Sequence, residues 1–310
     1  MPTRLAGHPL ERLEARALAR WGSARVAVTL MAGAMLLWPV IEGLGGFVLN
    51  AMHPLQLIWI RYAVHLLILL AVVFTTGAPL IRTRYPAIQI GRSLLMLGMP
   101  VFWLQAAARM PMNSVMAFFW TTPIAALIGA ALLLREYPTK RDVALVLAGF
   151  AGIVLVLRPT LPAGLGGPVF ALGMSGCYAL YLVATRWLRR EPTSVNLFHS
   201  ALSVFAVLTL VMPVLWRWPP VSALVVSAII GALGLVLLLL LDRALHHATV
   251  GRTASLGFLQ PAAEALVFGA AFGVFDSTRT RVGLLICGVV VVICIAARRQ
   301  DATDPPKRLA

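Results

Sequence analysis

The sequence predicts an all-α integral membrane protein with ten transmembrane helices, arranged as two inverted repeats of five helices. Three observations predict this fold. The chain is 60% hydrophobic and 12% charged with a mean hydropathy of +0.89, whereas soluble domains average roughly 25% charged residues. It contains ten apolar stretches. Its second half also repeats features of the first half at an offset of 138 residues.

Each apolar stretch is long enough, or nearly long enough, to cross about 30 Å of hydrocarbon at about 1.5 Å per residue. The breaks between them carry charge, proline or both, as turns between helices do. The fifth and tenth stretches are the shortest, which indicates either broken helices at a functional site or helices at the periphery. The predicted spans are 27–48, 56–76, 89–108, 113–134, 143–157, 166–187, 196–216, 221–242, 252–274 and 282–297.

The basic residues orient these helices. If the first helix begins in the cytoplasm, most of the 26 Lys and Arg lie on the cytoplasmic side, together with both termini. The net charge of +15 is then explained by topology and contact with the lipid surface, because a nucleic-acid-binding protein clusters its charge on one face. We therefore expect a multi-pass protein of the cell inner membrane. The opposite side receives only Arg109, Arg158, Arg217, Arg279 and Arg281.

The repeat determines the predicted architecture. It aligns Pro54 with Pro192, Arg61 with His199, Pro123 with Pro261 and Arg141 with Arg279. Because each copy crosses the membrane an odd number of times, the second copy enters from the opposite side, and the repeats are inverted. An inverted pair places a site near the midplane between the halves, as expected of an alternating-access carrier.

The chain accordingly divides into four parts. These are a basic cytoplasmic segment (1–26), the first five-helix repeat (27–158), the second, inverted repeat (166–297) and a cytoplasmic tail (298–310). The N-terminal segment lacks a small-residue cleavage site after a short apolar core, so we expect the first span to be retained. Cys177, Cys287 and Cys294 all lie in apolar spans, and we interpret them as packing residues.

A motif of small and apolar residues surrounds the fourth predicted helix. It runs as AAARMPMNSVMA over residues 106–117 and continues through Thr122-Pro123, Arg135-Glu136, Gly149 and Gly152. A weaker copy comprises residues 244–248, Ala254, Gln260-Pro261 and Gly283 to Gly288. From about residue 27 to 297 this pattern resembles the drug/metabolite transporter superfamily, in its ten-helix EamA-like branch. The second copy departs from it at Gly273-Val274, where a counterpart of Glu136 would stand.

The resemblance implies a fold and a general activity. It implies a central cavity surrounded by the first four helices of each half, with the fifth and tenth helices at the periphery. Members export amino acids and other small metabolites, while some take up metabolites or exchange nucleotide sugars or phosphates. Because fold does not determine substrate, the substrate has to be argued from the cavity.

Four ionisable residues lie inside the spans or at their margins: Glu42, Arg61, Asp242 and Glu264. A charge at a helix centre costs about 2.5 to 3.5 kcal/mol on insertion scales, so each is expected to face the bundle interior with a partner. Glu42 and Arg61 lie at similar depths near the outer ends of their helices. We hypothesise that they form an ion pair, which acts either as a structural clamp or as a gate or substrate contact.

The ninth predicted helix contains a polar patch at mid-membrane. Gln260 and Glu264 share a face at i, i+4 spacing, and Pro261 removes one helical hydrogen-bond donor. Pro123 breaks the fourth helix at the equivalent level, but Ala126 replaces the acid there. Glu264 is predicted either to bind the amino group of a substrate, to carry a proton, or only to connect two helices as a hydrogen-bonded carboxyl.

Aromatic side chains are predicted to form the apolar wall of this cavity. A cation can rest on such rings, and the side chain of an amino acid can stack on them. Anchoring at the membrane interface is the competing explanation for any Trp, and it suits Trp21, Trp187, Trp216 and Trp218 best. The predicted cavity residues are Trp38, Trp103, Trp120, Tyr178 and Tyr181.

Histidines offer two further candidates. His65 follows Arg61 by one turn, and His199 is the repeat equivalent of Arg61, so they are predicted either to form gates at the two mouths or to be merely solvated or capped.

Asp242 and His246 have the i, i+4 spacing of metal ligands. Because no third ligand lies nearby in the sequence, we predict no metal and interpret both as interface charges on a cytoplasmic turn.

The sequence carries no catalytic motif: it has no His-Glu-x-x-His, no Gly-x-Ser-x-Gly and no Gly-rich phosphate loop with Lys. We therefore expect a monomeric carrier in the lipid bilayer that binds a small molecule and uses no cofactor, ATP or nucleic acid. The preferred substrate is an amino acid, with aromatic amino acids included, moved outwards. The alternative is a larger aromatic metabolite, vitamin or drug, and a more distant alternative is an intramembrane enzyme.

Overall fold

The computed structural model describes residues 9–77, 80–160, 164–269 and 277–301. Within these ranges all regular structure is helical. The first repeat comprises α1 (Pro9–Val48), α2 (Pro54–Thr76), α3 (Pro86–Ala107), α4 (Met112–Phe119), α5 (Thr122–Gly129) and α6 (Lys140–Leu157). The second comprises α7 (Gly166–Trp187), α8 (Thr193–Leu215), α9 (Val221–His247), α10 (Val250–Ala254), α11 (Leu259–Gly269) and α12 (Thr278–Asp301).

These helices form the ten predicted segments. The fourth segment consists of α4, α5 and a π-helical turn (Ala130–Leu134), and the ninth consists of α10, a 3-10 turn (Ser255–Phe258) and α11. Of the described segments, eight are long and apolar enough to cross a membrane by length and composition. The other two are α6, which begins with three charged residues, and the interrupted ninth segment. Residues 270–274 of the predicted ninth span lie outside the described ranges.

Several segment ends have clear local causes. Pro54 starts α2, where a missing backbone N–H costs nothing, and Nδ1 of His53 accepts a hydrogen bond from the Leu55 N–H at 3.2 Å. Thr139 and Asp142 form a capping box at the start of α6. Gly22, with φ of 77°, kinks the long α1, which places the basic N-terminal part of α1 in a different direction from its apolar part.

Helix packing is symmetric between the repeats. The contact of α1 with α9 and that of α3 with α7 are the most extensive, and they are equivalent pairs in the two repeats. The α6 and α12 helices, also equivalent, pack on each other. There the thiol of Cys287 contacts the carbonyl oxygen of Gly149 at 3.7 Å, and these residues are 138 positions apart. The pseudo-twofold axis of the inverted repeat therefore passes between α6 and α12.

Close backbone approach makes this central packing possible. A Cβ atom added to Gly283 would lie 2.5 Å from the carbonyl oxygen of Gly152, so the two helices touch through their backbones. Small residues permit this approach in membrane helix pairs, where dispersion contacts replace the hydrophobic effect. Both α6 and α12 are continuous. The broken-helix interpretation of the fifth and tenth spans is therefore wrong.

The interrupted segments are instead the fourth and the ninth. The α4 helix ends at Phe119 and α5 begins at Thr122, next to Pro123. In the second repeat α10 ends at Ala254, and α11 begins at Leu259, two residues before Pro261. Each proline removes one helical hydrogen bond, as predicted from the sequence. The breaks lie at equivalent levels, and the polar groups near them point into the region between the repeats.

Candidate functional site

Two carboxylates share one amide between the repeats. The Gln260 Nε2 group donates to Oε2 of Glu42 and to Oε2 of Glu264, both at 3.1 Å. Trp38 Nε1 donates to the other oxygen of Glu42 at 2.7 Å. Gln260 is buried, Glu264 is half-buried and Glu42 is exposed. We call Glu42 and Glu264 the acidic pair.

The acidic pair has no basic partner in the described part of the chain. None of its described Lys, Arg or His side chains forms an ion pair with Glu42 or Glu264. Two carboxylates this close repel each other unless a cation or a proton joins them. Glu42 comes from α1 in the first repeat, and Gln260 and Glu264 come from α11 in the second. The arrangement is thus a pair of carboxyl groups at the boundary of the repeats, which a proton or a bound cation would stabilise.

Aromatic rings continue from this acidic pair into the bundle. The Trp38 ring packs edge-on against Tyr178 at 5.2 Å between centroids, and Phe119 stacks on Tyr178 at 5.8 Å. Tyr178 is in turn parallel to Tyr181 at 6.3 Å, and Trp120 packs on Phe119 at 5.1 Å. We call these five residues the aromatic wall. Ring faces carry negative potential, so the wall and the acidic pair both favour a cation.

Hydroxyl groups satisfy the break in the fourth segment. The Thr122 hydroxyl donates to the Phe119 carbonyl at 2.6 Å, which replaces the donor that Pro123 removes. The Thr121 hydroxyl is 2.8 Å from that of Ser175 in α7, so the break is also joined to the second repeat. The helix therefore stays interrupted without an unpaired carbonyl at Phe119.

The space below the aromatic wall is narrow. A cavity of about 30 Å³ lies among residues that include Met35, Trp120, Tyr178 and Leu245. Pockets that bind small molecules have volumes of about 300 to 1,000 Å³. This cavity is therefore too small for a metabolite in the described conformation.

A buried polar network joins the two repeats near the cytoplasmic ends of the helices. Arg92 in α3 is 1% exposed and donates to the Thr185 hydroxyl (3.2 Å), the Ser200 hydroxyl (2.9 Å) and the Asn196 carbonyl (2.5 Å). Asn196 Nδ2 donates to Oδ1 of Asp242 at 2.9 Å. The network connects four helices of both repeats. We call it the cytoplasmic network; its members are Gln89, Arg92, Thr185, Thr193, Asn196, Ser200 and Asp242.

Asp242 differs from its predicted position. It was expected to be an interface charge on a cytoplasmic turn, but it is 6% exposed and accepts hydrogen bonds from Thr193 (2.7 Å) and Asn196. The interface interpretation was wrong because α9 continues to His247, whereas the expectation that Asp242 faces the bundle interior with a partner is confirmed. In the described part of the chain there is no group of three His, Cys, Asp or Glu that could hold a metal ion.

Ion pairs surround the network at the cytoplasmic ends. Glu136 accepts from Arg186 Nε at 2.8 Å and from Arg189 at 3.4 Å. The same Arg186 donates to the Leu245 carbonyl at 2.8 Å, so one guanidinium connects the first repeat with two helices of the second. A residue equivalent to Glu136 in the second repeat falls at 274, outside the described residues.

The hypothesis of a Glu42–Arg61 ion pair is wrong. Glu42 bonds to Trp38 and Gln260, whereas Arg61 packs against Gly234 of α9 and lies 6.0 Å from the Tyr62 ring centroid. The physical reason is the packing order of the helices. Both α1 and α2 pack extensively on α9, and α9 separates them. Helices that are consecutive in sequence are thus not neighbours at this level.

Similarity to known proteins agrees with this geometry. Residues 25–158 match the model of the EamA-like transporter family. The matched residues span the first repeat, which is thus similar to this family. The chain is a multi-pass membrane protein, and its fold is also found in a crystal structure that covers 87% of this chain and 95% of the other at 21% identity, with a TM-score of 0.73.

Relatives of this chain are named for different substrates. The S-adenosylmethionine uptake transporter of Rickettsia bellii is 23% identical over 239 residues, which cover 76% of this chain and 81% of the relative. The corresponding transporter of Rickettsia prowazekii is 21% identical and covers 82% of this chain and 86% of the relative. The riboflavin transporter of Brucella anthropi is 25% identical over 171 residues, covering 54% and 57%.

Three predicted residues of the transporter, Trp103, His199 and His65, take no part in the contacts of the acidic pair. Among the described residues, Trp103 is half-buried in α3 and takes part in none of the ring contacts of the aromatic wall. The His199 ring contacts the Val195 carbonyl of its own helix at 2.9 Å. His65 is buried at 1% exposure in α2. The structure thus does not place the two histidines in similar environments.

Sequence reasoning missed the cytoplasmic network of the transporter. Gln89 and Arg92 lie inside the third predicted span, yet Arg92 was counted only as a cytoplasmic charge. Their i, i+3 spacing puts both on one helix face, and Asn196 and Ser200 have i, i+4 spacing in α8. Two polar helix faces in equivalent depth ranges were the signal that could have revealed this network.

Proposed function

We propose that the chain carries a cationic, ring-bearing metabolite of the class of S-adenosylmethionine across the membrane by alternating access. The observation that carries this proposal is the acidic pair, bridged by a single amide and adjoining the aromatic wall. No described basic side chain pairs with either carboxylate. A ligand with positive charge and a planar ring would complete the site.

Sulfonium chemistry fits this site well. A sulfonium is positively charged but has no N–H, so it gains from carboxylates and ring faces rather than from hydrogen-bond acceptors alone. A desolvated cation on an aromatic face gains about 2 kcal/mol or more. An attached adenine ring can stack between Trp or Tyr side chains, which adds about 0.5 to 1.5 kcal/mol beyond its area burial.

The relatives support a ring-bearing substrate. Their names give S-adenosylmethionine and riboflavin, and both compounds contain a heteroaromatic ring system. Of the two, only S-adenosylmethionine also carries the positive charge that the acidic pair favours. This comparison moves the preference from an amino acid to a larger metabolite, which was the alternative from the sequence.

Amino acid export remains the second candidate. The acidic pair can accept hydrogen bonds from an ammonium group, and the aromatic wall can contact an aromatic side chain. An amino acid, however, leaves much of a site with five aromatic rings unfilled.

We propose that the protein acts as a monomeric carrier that does not change its substrate chemically. The flux experiment tests for chemical change together with the identity of the substrate.

Alternating access would require contacts between the repeats to break and form again. In the described conformation the cytoplasmic network joins the repeats, and the cavity above it measures about 30 Å³. Transfer to the cytoplasmic side requires α3 and α8 to separate, which breaks the Arg92 hydrogen bonds. Binding energy at the acidic pair and the aromatic wall would offset that cost.

Counterflow in proteoliposomes tests the proposal. Vesicles with purified protein are loaded with unlabelled S-adenosylmethionine, and the uptake of labelled S-adenosylmethionine is measured with and without a pH gradient. We expect uptake above protein-free vesicles, with recovery of chemically unchanged label. Competition by riboflavin, by S-adenosylhomocysteine and by a panel of amino acids then ranks the substrate classes.

Substitutions in the acidic pair test whether these carboxyl groups are needed for transport. Glu42→Gln and Glu264→Gln each keep the side-chain shape but remove a charge, and we expect about tenfold or greater loss of uptake at subsaturating substrate. Glu14→Gln removes an acidic charge at the cytoplasmic end and is the matched control. Flux of amino acids without flux of S-adenosylmethionine would select the second candidate, and chemically altered label would indicate an enzyme.

A further inference from the structure

Arg61 carries a charge that no described side chain balances. Its side chain is half-buried in α2, and Nε is fully buried without a hydrogen-bond partner. No described carboxylate forms an ion pair with it. A guanidinium inside a membrane bundle is costly, and such residues generally pair with an acid, a carbonyl or a ligand.

His65 adds a second unsatisfied group one turn along the same helix. Its ring is 1% exposed, and neither Nδ1 nor Nε2 has a hydrogen-bond partner among the described residues. The Gly231 backbone is close to the ring but outside hydrogen-bond geometry. The Tyr62 ring contacts His65 at 4.9 Å between centroids and lies 6.0 Å from the Arg61 guanidinium carbon, so all three groups border one region.

The helix opposite Arg61 leaves room for its guanidinium. A Cβ atom added to Gly234 would lie 2.4 Å from Nε of Arg61 and 2.8 Å from its Nη2. Any larger residue at 234 would therefore displace the guanidinium. Glycine at this position allows Arg61 to lie against the α9 backbone, while its donors remain without acceptors from the described side chains.

Arg92 shows how this bundle treats an arginine with a structural role. Arg92 donates to three side chains and one carbonyl, and it lies 5.4 Å from the Tyr181 ring centroid. Nε of Arg92 is also buried without a partner, but its two Nη groups are hydrogen-bonded, whereas Arg61 makes none of these bonds. Buried groups that remain unpaired in the protein are expected where a ligand supplies the partner.

We propose that Arg61 and His65 form a basic subsite that binds a carboxylate of the transported substrate. This proposal rests on the proposed function and adds a carboxylate to the chemistry of its substrate. A guanidinium pairs bidentately with a carboxylate, and the His65 ring can donate one further hydrogen bond.

A matched pair of probes tests the basic subsite. S-adenosylmethionine and its decarboxylated analogue share the sulfonium, the adenine and the amino group, and they differ in the carboxylate. Both are used as competitors of labelled S-adenosylmethionine in proteoliposomes. We expect the wild-type protein to prefer the carboxylate form by about tenfold to 100-fold, as a charge-assisted hydrogen bond to a charged group provides.

Substitutions then locate that preference. Arg61→Gln is expected to abolish the preference while the decarboxylated analogue competes as it does in the wild type. Arg141→Gln, which removes an exposed positive charge at the start of α6, is the control and is expected to retain the preference. Equal losses for both competitors in Arg61→Gln would mean that Arg61 has only a structural role, and would overturn the proposal.

Gly234→Ala provides a test that keeps every charge. The added methyl group would displace the flexible end of Arg61, so we expect a smaller loss of preference, about threefold to tenfold, in a folded protein. A preference for the carboxylate form that survives in Arg61→Gln would overturn the proposal, whatever the result for Gly234→Ala.

Failure of the proposed substrate gives a different result. If the wild type transports neither adenosyl compound, the same comparison is made with each transported amino acid and its methyl ester. Preference for the free carboxylate that disappears in Arg61→Gln supports the basic subsite and rejects only the proposed substrate class. Equal competition by acid and ester would overturn the basic subsite itself.

Discussion

The cytoplasmic network and the acidic pair both contain buried or half-buried polar groups, but they differ in how those groups are paired. In the cytoplasmic network Arg92, Asn196 and Asp242 are each less than 10% exposed and share hydrogen bonds across four helices. In the acidic pair two carboxylates share one amide, and Glu42 is exposed. The first arrangement stabilises one conformation of the protein, whereas in the second the two carboxyl groups remain available to bind a ligand.

This difference separates structural charges from functional ones. A charge inside the membrane is costly in either place, because water is absent from the bilayer core. In the cytoplasmic network protein partners offset that cost, so removing one partner should lower stability. At the acidic pair no described cation does so, and removing a carboxylate should affect ligand binding far more than folding.

The largest expected effect is at Arg92. Arg92→Leu leaves the hydroxyls of Ser200 and Thr185 and the carbonyl of Asn196 without their donor. Breaking a buried charged network by removing one partner costs about 3 to 5 kcal/mol. We expect a large fall in the melting temperature of the detergent-solubilised protein, measured by tryptophan fluorescence. Arg92→Lys should recover only part of it, since an ammonium cannot reach the same acceptors. An unchanged melting temperature would mean that the cytoplasmic network does not stabilise the described conformation.

A smaller loss is expected at Glu136. Glu136→Gln removes the charged partner of Arg186, whose side chain is 10% exposed. Hydrogen bonds to charged groups contribute about 1.5 to 3 kcal/mol, and Arg186 keeps its backbone acceptors at Leu245 and His246. The free energy of unfolding should therefore fall by an amount in that range. A loss as large as that of Arg92→Leu would mean that the two groups of contacts act as one unit.

Glu14 should contribute less still. It accepts from Arg243 at 2.6 Å and from His247, at the cytoplasmic ends of α1 and α9. Because Arg243 is 27% exposed, solvent and salt screen the pair, and we expect Glu14→Gln to cost about 0.2 to 1 kcal/mol. Repeating the unfolding measurement at high salt should reduce the difference between the variant and the wild type. A difference that does not depend on salt would indicate a packing effect.

The smallest stability effect should occur at the acidic pair. Glu42→Gln relieves repulsion between two carboxylates and retains an acceptor for Trp38 Nε1. We expect unfolding stability to change by less than about 0.5 kcal/mol, or to increase slightly, while uptake falls about tenfold. A variant that loses stability and uptake together would place Glu42 with the cytoplasmic network, as a structural group.

The sequence predicted the architecture because each contributing signal was local or periodic. Apolar length, charged turns and the prolines at 123 and 261 indicate helices and breaks without knowledge of packing. The i, i+4 spacing of Gln260 and Glu264 likewise brings their side chains together in the structure.

Other features depend on which helices are neighbours. The incorrect ion pair of Glu42 with Arg61 assumed that consecutive helices touch, but α9 lies between them. Arg92 and Asp242 were interpreted as surface charges because their partners are distant in sequence. Asn196 in α8, which bonds to both, is 104 positions from Arg92 and 46 positions from Asp242. Whether Glu42 bonds to Arg61 or to Gln260 is thus decided by tertiary packing alone.

Direct binding tests the central claim that the acidic pair and the aromatic wall bind a cation. Affinities of S-adenosylmethionine and S-adenosylhomocysteine are measured by titration of the purified protein; the two compounds differ mainly in a sulfonium against an uncharged thioether. The account predicts binding of S-adenosylmethionine about tenfold tighter or more, with the difference greatly reduced in a Glu42→Gln, Glu264→Gln double variant. Equal affinities in the wild type, or a preference that survives in the double variant, would contradict it.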